Sequence, residues 1–523
     1  MPTTDNDLTI DTLETRKFSA YYQQLATRDR GRVTVQSFWR HLHRMGITRK
    51  DPRVEKVHAQ LQEAAKTKDN GLFELRPALF EEIMKNNALI RKSFERLLII
   101  PEFEAFCGSI AEIFEEASRN KAGKLADYIP QLSRVDPELF AVSICTIDGQ
   151  RFSLGDVRQP FCLQSSCKPI NYCLAMEELG EEEVHRHVGR EPSGHTFNEL
   201  SLNKRNLPHN PMINAGAIMC NALLKRDESL ADRYDYVKNT WQRLTGGRPI
   251  SFSNSVYLSE KQTADRNFAL AYFMREKKAF PPGTALNDTL DFYLQCCSIE
   301  SCVADTSVAA ATLANSGANP LTGDKIFSES TVQHCMSLML SCGMYDFSGE
   351  FAFHVGLPAK SGVSGVILVV VPNVMGIAIY SPRLDALGNS VRGVEFCERL
   401  VDRYNFHIYD SLNRSSQKTN PRLRRYESQV NEVVNLIWSA SKGDLEEVLR
   451  LQSEGVDLGM ADYDGRTALH LAASDNQAAV VAYLIDQGIN LAPIDRWGNT
   501  PIMDARRGGH GEIVMLLENA FRD

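Results

Sequence analysis

The stretch from Phe161 to Lys168 reads FCLQSSCK and is the most informative motif in the largest region of the chain. Ser165 and Lys168 stand three residues apart, and the largely apolar run from Ile170 to Met176 indicates a buried helix that begins here. At a helix start, this spacing places the serine and the lysine on one face. A lysine buried there can lose its proton and act as a base toward the hydroxyl, and the helix N-terminus offers backbone N–H groups to an oxyanion. The alternative is a serine that caps the helix beside an exposed lysine.

Strand patterns flank this stretch on both sides. Residues Phe140–Ile147 alternate in polarity and are followed by Asp148-Gly149, a dipeptide typical of tight hairpins. A long, mostly helical middle separates them from a second pair of apolar runs, Val363–Val371 and Val374–Tyr380. Strands, then helices, then strands predict an α+β unit over residues 119–410, with one antiparallel sheet built from both ends of the segment.

A second short motif, Lys360-Ser361-Gly362, directly precedes the second strand pair. Penicillin-recognising serine hydrolases combine a Ser-x-x-Lys helix with a Lys-[Ser/Thr]-Gly strand in this chain order. In such a fold the strand places a backbone N–H beside the nucleophile, as the second donor of an oxyanion hole. The alternative for the tripeptide is an ordinary loop before a strand. The two motifs together predict a β-lactamase- or penicillin-binding-protein-like catalytic domain.

The region before this unit is predicted to be all-α. Residues 16–118 carry apolar side chains at helical spacing, and we interpret them as an EF-hand-like domain for interaction or assembly. The Asp69-Asn70-Gly71 tripeptide is only a fragment of a calcium loop, so we predict no calcium ligands there. Residues 1–15 are polar and acidic and are predicted to form a disordered tail.

The end of the chain repeats with a period of 33 residues. Gly465-Arg466-Thr467 recurs as Gly498-Asn499-Thr500, and the segment from Thr467 to Ala473 (TALHLAA) resembles an ankyrin repeat. We therefore assign residues 428–523 to ankyrin repeats, whose units bury their apolar faces only against a neighbour. Residues 411–427, rich in arginine and lysine, are interpreted as an exposed basic linker.

Composition limits the possible partners and compartments. The chain has 523 residues and a net charge of −8, which favours neither nucleic acid nor an anionic membrane as a partner. Twelve cysteines form no Cys-x-x-Cys pair, a pattern typical of reduced thiols. The acidic start of the chain has neither the basic and apolar stretches of a secretory signal nor the arginines of a transit peptide, so we predict a cytoplasmic protein.

The segment from Tyr128 to Tyr380 resembles the glutaminase family. The likeness is carried by FCLQS at Phe161–Ser165, EPSG at Glu191–Gly194 and PHNPMINAGA at Pro208–Ala217. The helical region before the segment and the repeats after it resemble those of the animal kidney- and liver-type enzymes. The resemblance implies a serine-dependent amidohydrolase that converts L-glutamine to L-glutamate and ammonia.

The resemblance also implies roles for individual residues. Ser165 is the implied nucleophile and Lys168 its base, while Tyr345 shares the proton transfers and helps ammonia leave. The N–H groups of Ser165 and Val363 are the implied oxyanion hole. The implied substrate-binding positions are Tyr128, Ser165, Asn214, Glu260, Asn267, Tyr293, Tyr345 and Val363. The residue chemistry agrees, because Glu260 suits the α-ammonium of glutamine and the two asparagines can donate to its α-carboxylate.

Further expectations rest on the same resemblance. It implies a two-step acyl transfer that needs no metal or organic cofactor, inorganic phosphate as a possible activator, and a homotetramer. It makes the mitochondrial matrix the alternative compartment, and the repeats offer a surface to a protein partner. The rival interpretations are a penicillin-recognising serine hydrolase and a catalytically dead ankyrin scaffold.

Overall fold

The computed structural model describes residues 10–28, 32–66, 74–194, 198–412, 418–423, 425–453 and 456–522. These residues form two compact units, one that ends at Ile408 and one that begins at Tyr409. Residues 1–9 of the predicted tail and the Asp69-Asn70-Gly71 fragment of a calcium loop lie outside the described ranges.

The first unit begins with helices. They are α1 (Ile10–Arg28), α2 (Val35–Arg44), α3 (Glu55–Lys66), α4 (Pro77–Asn86), α5 (Ala88–Glu95) and α6 (Phe103–Ser118). Because α1 begins at Ile10, the prediction of a disordered tail over residues 1–15 was wrong for residues 10–15. The core of this region contains an aromatic group in which the rings of Phe38 and Phe80 both contact Phe94, at centroid distances of 6.2 and 5.3 Å.

The sixth helix corrects the predicted domain boundary at residue 118. Phe106, Ile110 and Ile113 of α6 pack into the same apolar cluster as the central sheet, not into the cluster of the preceding helices. Sequence periodicity identified the helix but could not identify the surface on which its apolar face packs.

A five-stranded antiparallel sheet is the centre of the first unit, in the order β2-β1-β8-β7-β6. Its strands are β1 (Ala141–Thr146), β2 (Arg151–Gly155), β6 (Ala359–Gly362), β7 (Val366–Val371) and β8 (Met375–Tyr380). A second, three-stranded sheet joins β3 (Phe161–Cys162), β5 (Ile299–Ser301) and β4 (Ser251–Phe252). The predicted α+β architecture and the two flanking hairpins are confirmed.

Two details of the strands differ from the sequence prediction. The tripeptide Lys360-Ser361-Gly362 is itself part of strand β6, so the interpretation of it as a loop was wrong. Residues Val363 to Gly365, predicted to begin a strand, form the turn into β7, where Gly365 has a φ of +99°. A left-handed residue ends a strand because its backbone cannot continue the extended ladder.

Both faces of the sheet are covered, which explains the uninterrupted apolar sequence of β7. Ile367 and Val369 face the cluster that contains α6, whereas Val366 and Leu368 face the cluster of the helical part. That helical part comprises α7 (Pro130–Ser133), α8 (Lys168–His187), α9 (Asn214–Leu223), α10 (Leu230–Leu244), α11 (Asn254–Gln262), α12 (Asp265–Glu276), α13 (Leu286–Cys297), α14 (Val303–Ala314), α15 (Glu329–Cys342), α16 (Ser348–His354) and α17 (Val391–Arg403). Helix α14 lies directly on β8, because Gly376 has no side chain and a Cβ there would stand 2.0 Å from the Ala311 nitrogen.

The second unit is a stack of helix pairs. They are α18 (Arg425–Lys442), α19 (Leu445–Ser453), α20 (Ala468–Ser474), α21 (Ala478–Asp486), α22 (Pro501–Gly508) and α23 (Gly511–Ala520). Equally spaced residues such as Val448 and Val481 meet in one core, as the 33-residue period predicts. Helix α18 already begins at Arg425, so the last residues assigned to the linker are helical.

Two further observations concern all the described ranges together. All twelve cysteines lie in the described ranges as free thiols, and each is buried except the half-buried Cys107. None of the helices in those ranges combines the length and the apolar character that crossing a bilayer requires.

Candidate active site

Ser165 and Lys168 lie where the chain passes from β3 into α8. Ser165 belongs to a short 3₁₀ turn, Gln164–Cys167, and Lys168 is the first residue of α8. Both side chains are buried, with 7% and 1% of their surface exposed. The alternative interpretation with an exposed lysine was therefore wrong. Gln164 turns the chain sharply just before the serine, with a φ of +50°.

Lys168 has a polar partner that carries no full charge. Its Nζ atom donates to Oδ1 of Asn214, the first residue of α9, over 2.7 Å. Burial lowers the pKa of Lys168 to about 8, because removal from water disfavours the ammonium form. About one tenth of this amine is thus unprotonated at pH 7, which is the state that a general base requires.

Tyr345 approaches the serine from the segment after α15. It has a φ of +53°, an unusual conformation for a bulky residue, and only 8% of its surface is exposed. Burial raises the pKa of Tyr345, and the nearby Ser165 side chain acts in the opposite direction. The strained backbone thus places the phenol against the hydroxyl of Ser165.

Strand β6 closes the other side of this group. At Gly362 a Cβ would stand 2.9 Å from the Leu163 oxygen and 3.5 Å from the Ser166 nitrogen, so β6 lies against the serine turn. Val363, the implied second oxyanion donor, is the next residue along the chain. The buried amine of Lys360 lies 4.4 Å from the centre of the Tyr345 ring and donates to the Ser361 carbonyl oxygen.

The other implied binding residues converge from four helices and one loop. Glu260 of α11 is buried and accepts hydrogen bonds from the Tyr128 hydroxyl over 2.6 Å and from the Gln164 amide over 2.9 Å. Burial raises the pKa of Glu260, while these two donors oppose the rise. The carboxylate is therefore held in place by two neutral donors, next to the turn that carries Ser165.

A second polar group surrounds Asn214. Its Oδ1 accepts from Lys168 and, over 3.3 Å, from the hydroxyl of Tyr293 on α13, and its Nδ2 donates to Oδ1 of Asn267 on α12. The candidate residues therefore lie in two separate hydrogen-bonded groups, on the serine turn, at the end of β6 or, for Tyr345, on the segment after α15. The Asn214 side chain is therefore bonded to protein groups at both its oxygen and its nitrogen. The Asn267 amide nitrogen makes no hydrogen bond among the described residues, so it can donate to a substrate.

Two residues of this region received no role from the sequence. Gln164 orients Glu260, and Lys360 lies under Tyr345. Both were inside quoted motifs, FCLQS and Lys-Ser-Gly, so their positions could have been recognised. Their partners could not, since Gln164 and Glu260 are 96 residues apart.

Comparisons with known proteins identify the family of each part of the chain. A family model described as Glutaminase matches residues 123–409, one for ankyrin repeats matches 436–521, and one for an EF-hand domain matches 19–101. The rat "Glutaminase liver isoform, mitochondrial" is 45% identical over 93% of this chain and 81% of its own length. The "Putative glutaminase 3" of Caenorhabditis elegans is 45% identical over 94% and 85%.

Solved structures show the same fold for the catalytic part. The "Probable glutaminase ybaS" superposes with a TM-score of 0.55 at 34% identity, over 58% of this chain and 97% of the other. A crystal structure of "Mglu in its glutamate form" gives a TM-score of 0.55 at 36% identity, over 58% and 69%. The chain belongs to the glutaminase family, amidohydrolases that hydrolyse L-glutamine to L-glutamate, here with C-terminal ankyrin repeats.

Proposed function

We propose that the chain hydrolyses glutamine through a seryl acyl-enzyme with a Ser165–Lys168 dyad. The observation that carries the proposal is the burial of Lys168, with a pKa lowered to about 8, three residues after a serine that contacts Tyr345. Neutral Lys168 takes the Ser165 hydroxyl proton as Oγ forms a bond to the side-chain amide carbon of glutamine. The N–H groups of Ser165 and Val363 hold the oxyanion.

The tetrahedral intermediate then collapses. The carbon–nitrogen bond breaks, and Tyr345 relays the proton from Lys168 to the leaving nitrogen, which departs as ammonia. A glutamyl ester of Ser165 remains. In the second step water loses a proton to the same relay and adds to the ester carbon, and Ser165 Oγ takes a proton as glutamate leaves.

Glutamine is held by the two charged groups on its α-carbon, which bind to the polar side chains around Glu260 and Asn267. The Glu260 carboxylate pairs with the α-ammonium, and Tyr128 and Gln164 keep that carboxylate in place. Asn267 supplies a neutral donor to the α-carboxylate, and Asn214 and Tyr293 do so by exchanging their present hydrogen bonds for bonds to the substrate. The two groups are separate, which suits a substrate that carries one charge of each sign.

The proposal includes several properties that the family resemblance suggests. These are catalysis without a metal or organic cofactor, activation by inorganic phosphate, a homotetramer, and a protein partner for the ankyrin repeats. The names of the rat and mouse relatives contain "mitochondrial", so the mitochondrial matrix and the cytoplasm are the two compartments to be distinguished. Imaging of the chain with a C-terminal fluorescent tag decides between these two compartments.

The test is ammonia release from L-glutamine by purified full-length chain. Ser165→Ala is expected to lower kcat by about 10³-fold or more, because the nucleophile is lost. Ser166→Ala is the matched control, a buried neighbouring serine whose hydroxyl only donates to the Leu163 oxygen, and it should keep most of the activity. In rapidly quenched wild-type reactions, a peptide containing Ser165 should carry one glutamyl group.

Three outcomes would overturn the proposal. Full activity in Ser165→Ala would exclude the acyl-enzyme. Hydrolysis of a chromogenic cephalosporin at a rate comparable to that of glutamine would favour a penicillin-recognising enzyme. No ammonia from folded wild-type chain, with and without phosphate, would favour the scaffold interpretation.

A further inference from the structure

A cavity of about 740 Å³ lies between the N-terminal helices and the edge of the five-stranded sheet. Its walls come from α2 and the loop after it, from β2 and the loop after it, and from Arg248 and the start of α14. None of the candidate active-site residues lines it. Its volume falls in the usual range for small-molecule sites, roughly 300–1,000 Å³.

The residues that line this cavity include six arginines and lysines. They are Arg40, Arg49, Lys50, Arg151, Arg158 and Arg248, against the single carboxylate of Asp305. This concentration stands out because the whole chain has a net charge of −8. A cleft lined by one sign of charge focuses the electric field and raises the local concentration of oppositely charged solutes.

Arg151 lines this cavity, and one of its N–H donors is not used in a hydrogen bond. Its Nη2 donates to the Thr48 hydroxyl over 3.1 Å, and its Nε is buried with no hydrogen-bond partner among the described residues. A buried donor without a partner is destabilising, so a ligand that accepts from the guanidinium would remove that penalty.

The rim cations are not neutralised by neighbouring acids. In the described ranges, Arg49, Lys50 and Arg158 form no ion pair with a carboxylate, although Arg49 lies 5.6 Å from the centre of the Trp39 ring. Arg248 is 3.6 Å from Asp305, the one acid in the wall. Arg151 lies 3.8 Å from the buried carboxylate of Asp51, so the charge that no acid neutralises among the described residues belongs to Arg49, Lys50 and Arg158.

Hydrogen bonds fix the positions of two walls of the cavity relative to each other. The Arg151 N–H donates to the Gly46 oxygen over 2.9 Å, and the Gln150 amide donates to the Met45 oxygen over 3.2 Å. The loop that carries Arg49 and Lys50 is thus fixed to β2 through the backbone. A ligand site with fixed walls loses less conformational entropy on binding.

We infer that this cavity binds a small soluble polyanion that carries two or more phosphate groups. Arginine is the side chain best suited to phosphate, because its planar donors match two oxygens at once. A chain of linked phosphates offers oxygens to several of these cations at once, whereas a single orthophosphate offers only four. The inference concerns binding and does not depend on the proposed catalytic mechanism.

The experiment is calorimetric titration of the full-length chain with inorganic tripolyphosphate, with orthophosphate and sulfate in parallel. The cavity variant is Arg49→Gln, Lys50→Gln and Arg158→Gln combined. The matched control, Lys56→Gln, Lys92→Gln and Lys278→Gln, removes the same charge from exposed positions outside the cavity. Circular dichroism and Tm without ligand verify that each variant is folded.

We expect tripolyphosphate to bind the wild type more tightly than orthophosphate, with an affinity that falls as salt rises. The cavity variant should bind at least about tenfold more weakly, and the control should stay within about twofold of the wild type. If the triple variant does not fold, Arg158→Gln alone should weaken binding about threefold. Failure of the wild type to bind tripolyphosphate, or equal binding by the cavity variant and its control, would overturn the inference.

Discussion

The Nζ atom of Lys168 lies 2.7 Å from the Oδ1 atom of Asn214. An amide oxygen orients the amine but carries no full charge, so it stabilises an ammonium less than a carboxylate would. With burial, this pairing leaves the pKa of Lys168 at about 8. The same asparagine also contacts Tyr293 and Asn267, which connects the base to two candidate substrate-binding residues.

The first prediction concerns pH. Because Lys168 must be neutral to accept a proton, kcat/KM should rise about tenfold per pH unit below the pKa of about 8 and level off above it. Asn214→Asp places a carboxylate beside the amine, which should raise this pKa by about 1–2 units and move the profile to higher pH. Initial rates between pH 6 and pH 10 measure both profiles. A profile that does not move in Asn214→Asp would contradict the assignment of Lys168 as the base.

The second prediction concerns substrate recognition. Glu260→Gln should lower kcat/KM for glutamine by about 10–150-fold, mainly through KM, because a hydrogen bond to a charged group contributes about 1.5–3 kcal/mol. The control is Glu276→Gln, an exposed carboxylate on the next helix. A glutamine analogue without the α-amino group should be a poor substrate for the wild type. Glu260→Gln should lower kcat/KM for this analogue only slightly, because the group that Glu260 binds is already missing. Equal discrimination by both proteins would show that Glu260 does not bind the ammonium.

The third prediction concerns the contact between β6 and the serine turn. Gly362→Ala adds a Cβ that would stand 2.9 Å from the Leu163 oxygen, so the strand must move away from Ser165. We expect kcat to fall about tenfold or more while the chain remains folded. Gly108→Ala is the control, since no atom lies within 4 Å of its Cβ and an alanine in the interior of helix α6 should stabilise it by about 0.5–1 kcal/mol. Unchanged kcat in Gly362→Ala would mean that β6 does not position the site.

The fourth prediction concerns the ankyrin repeats. His470 is buried, its Nδ1 accepts from the Thr467 N–H, and its Nε2 lies 3.2 Å from the Asn499 oxygen in the next repeat. His470→Ala should destabilise this part of the stack by about 1–3 kcal/mol and speed hydrogen exchange at residues 498–505. Met515→Ala, at a position 62% exposed, should leave exchange there unchanged. Equal exchange in the two variants would show that His470 does not stabilise the contact between the two repeats.

Local sequence patterns determined much of the architecture. Three patterns act over a few residues or one repeat, and each appears in the structure as predicted. They are the Asp148-Gly149 turn, the apolar strand runs and the 33-residue period. Ser165 and Lys168 were also identifiable, since they lie three residues apart, about one helical turn. The resemblance to the glutaminase family then supplied the distant residues that no local pattern could connect.

Only the tertiary structure decided how those residues meet and what their environment is. Tyr128, Gln164 and Glu260 converge from three elements, and Lys168 and Asn214 are 46 residues apart. Whether an amine is buried depends on packing by distant segments, so the lowered pKa of Lys168 could not be obtained from its neighbours in sequence. The same reason applies to α6, whose helical pattern was evident but whose apolar face packs on the sheet. Sequence periodicity specifies which face of an element is apolar, and long-range packing specifies what that face contacts.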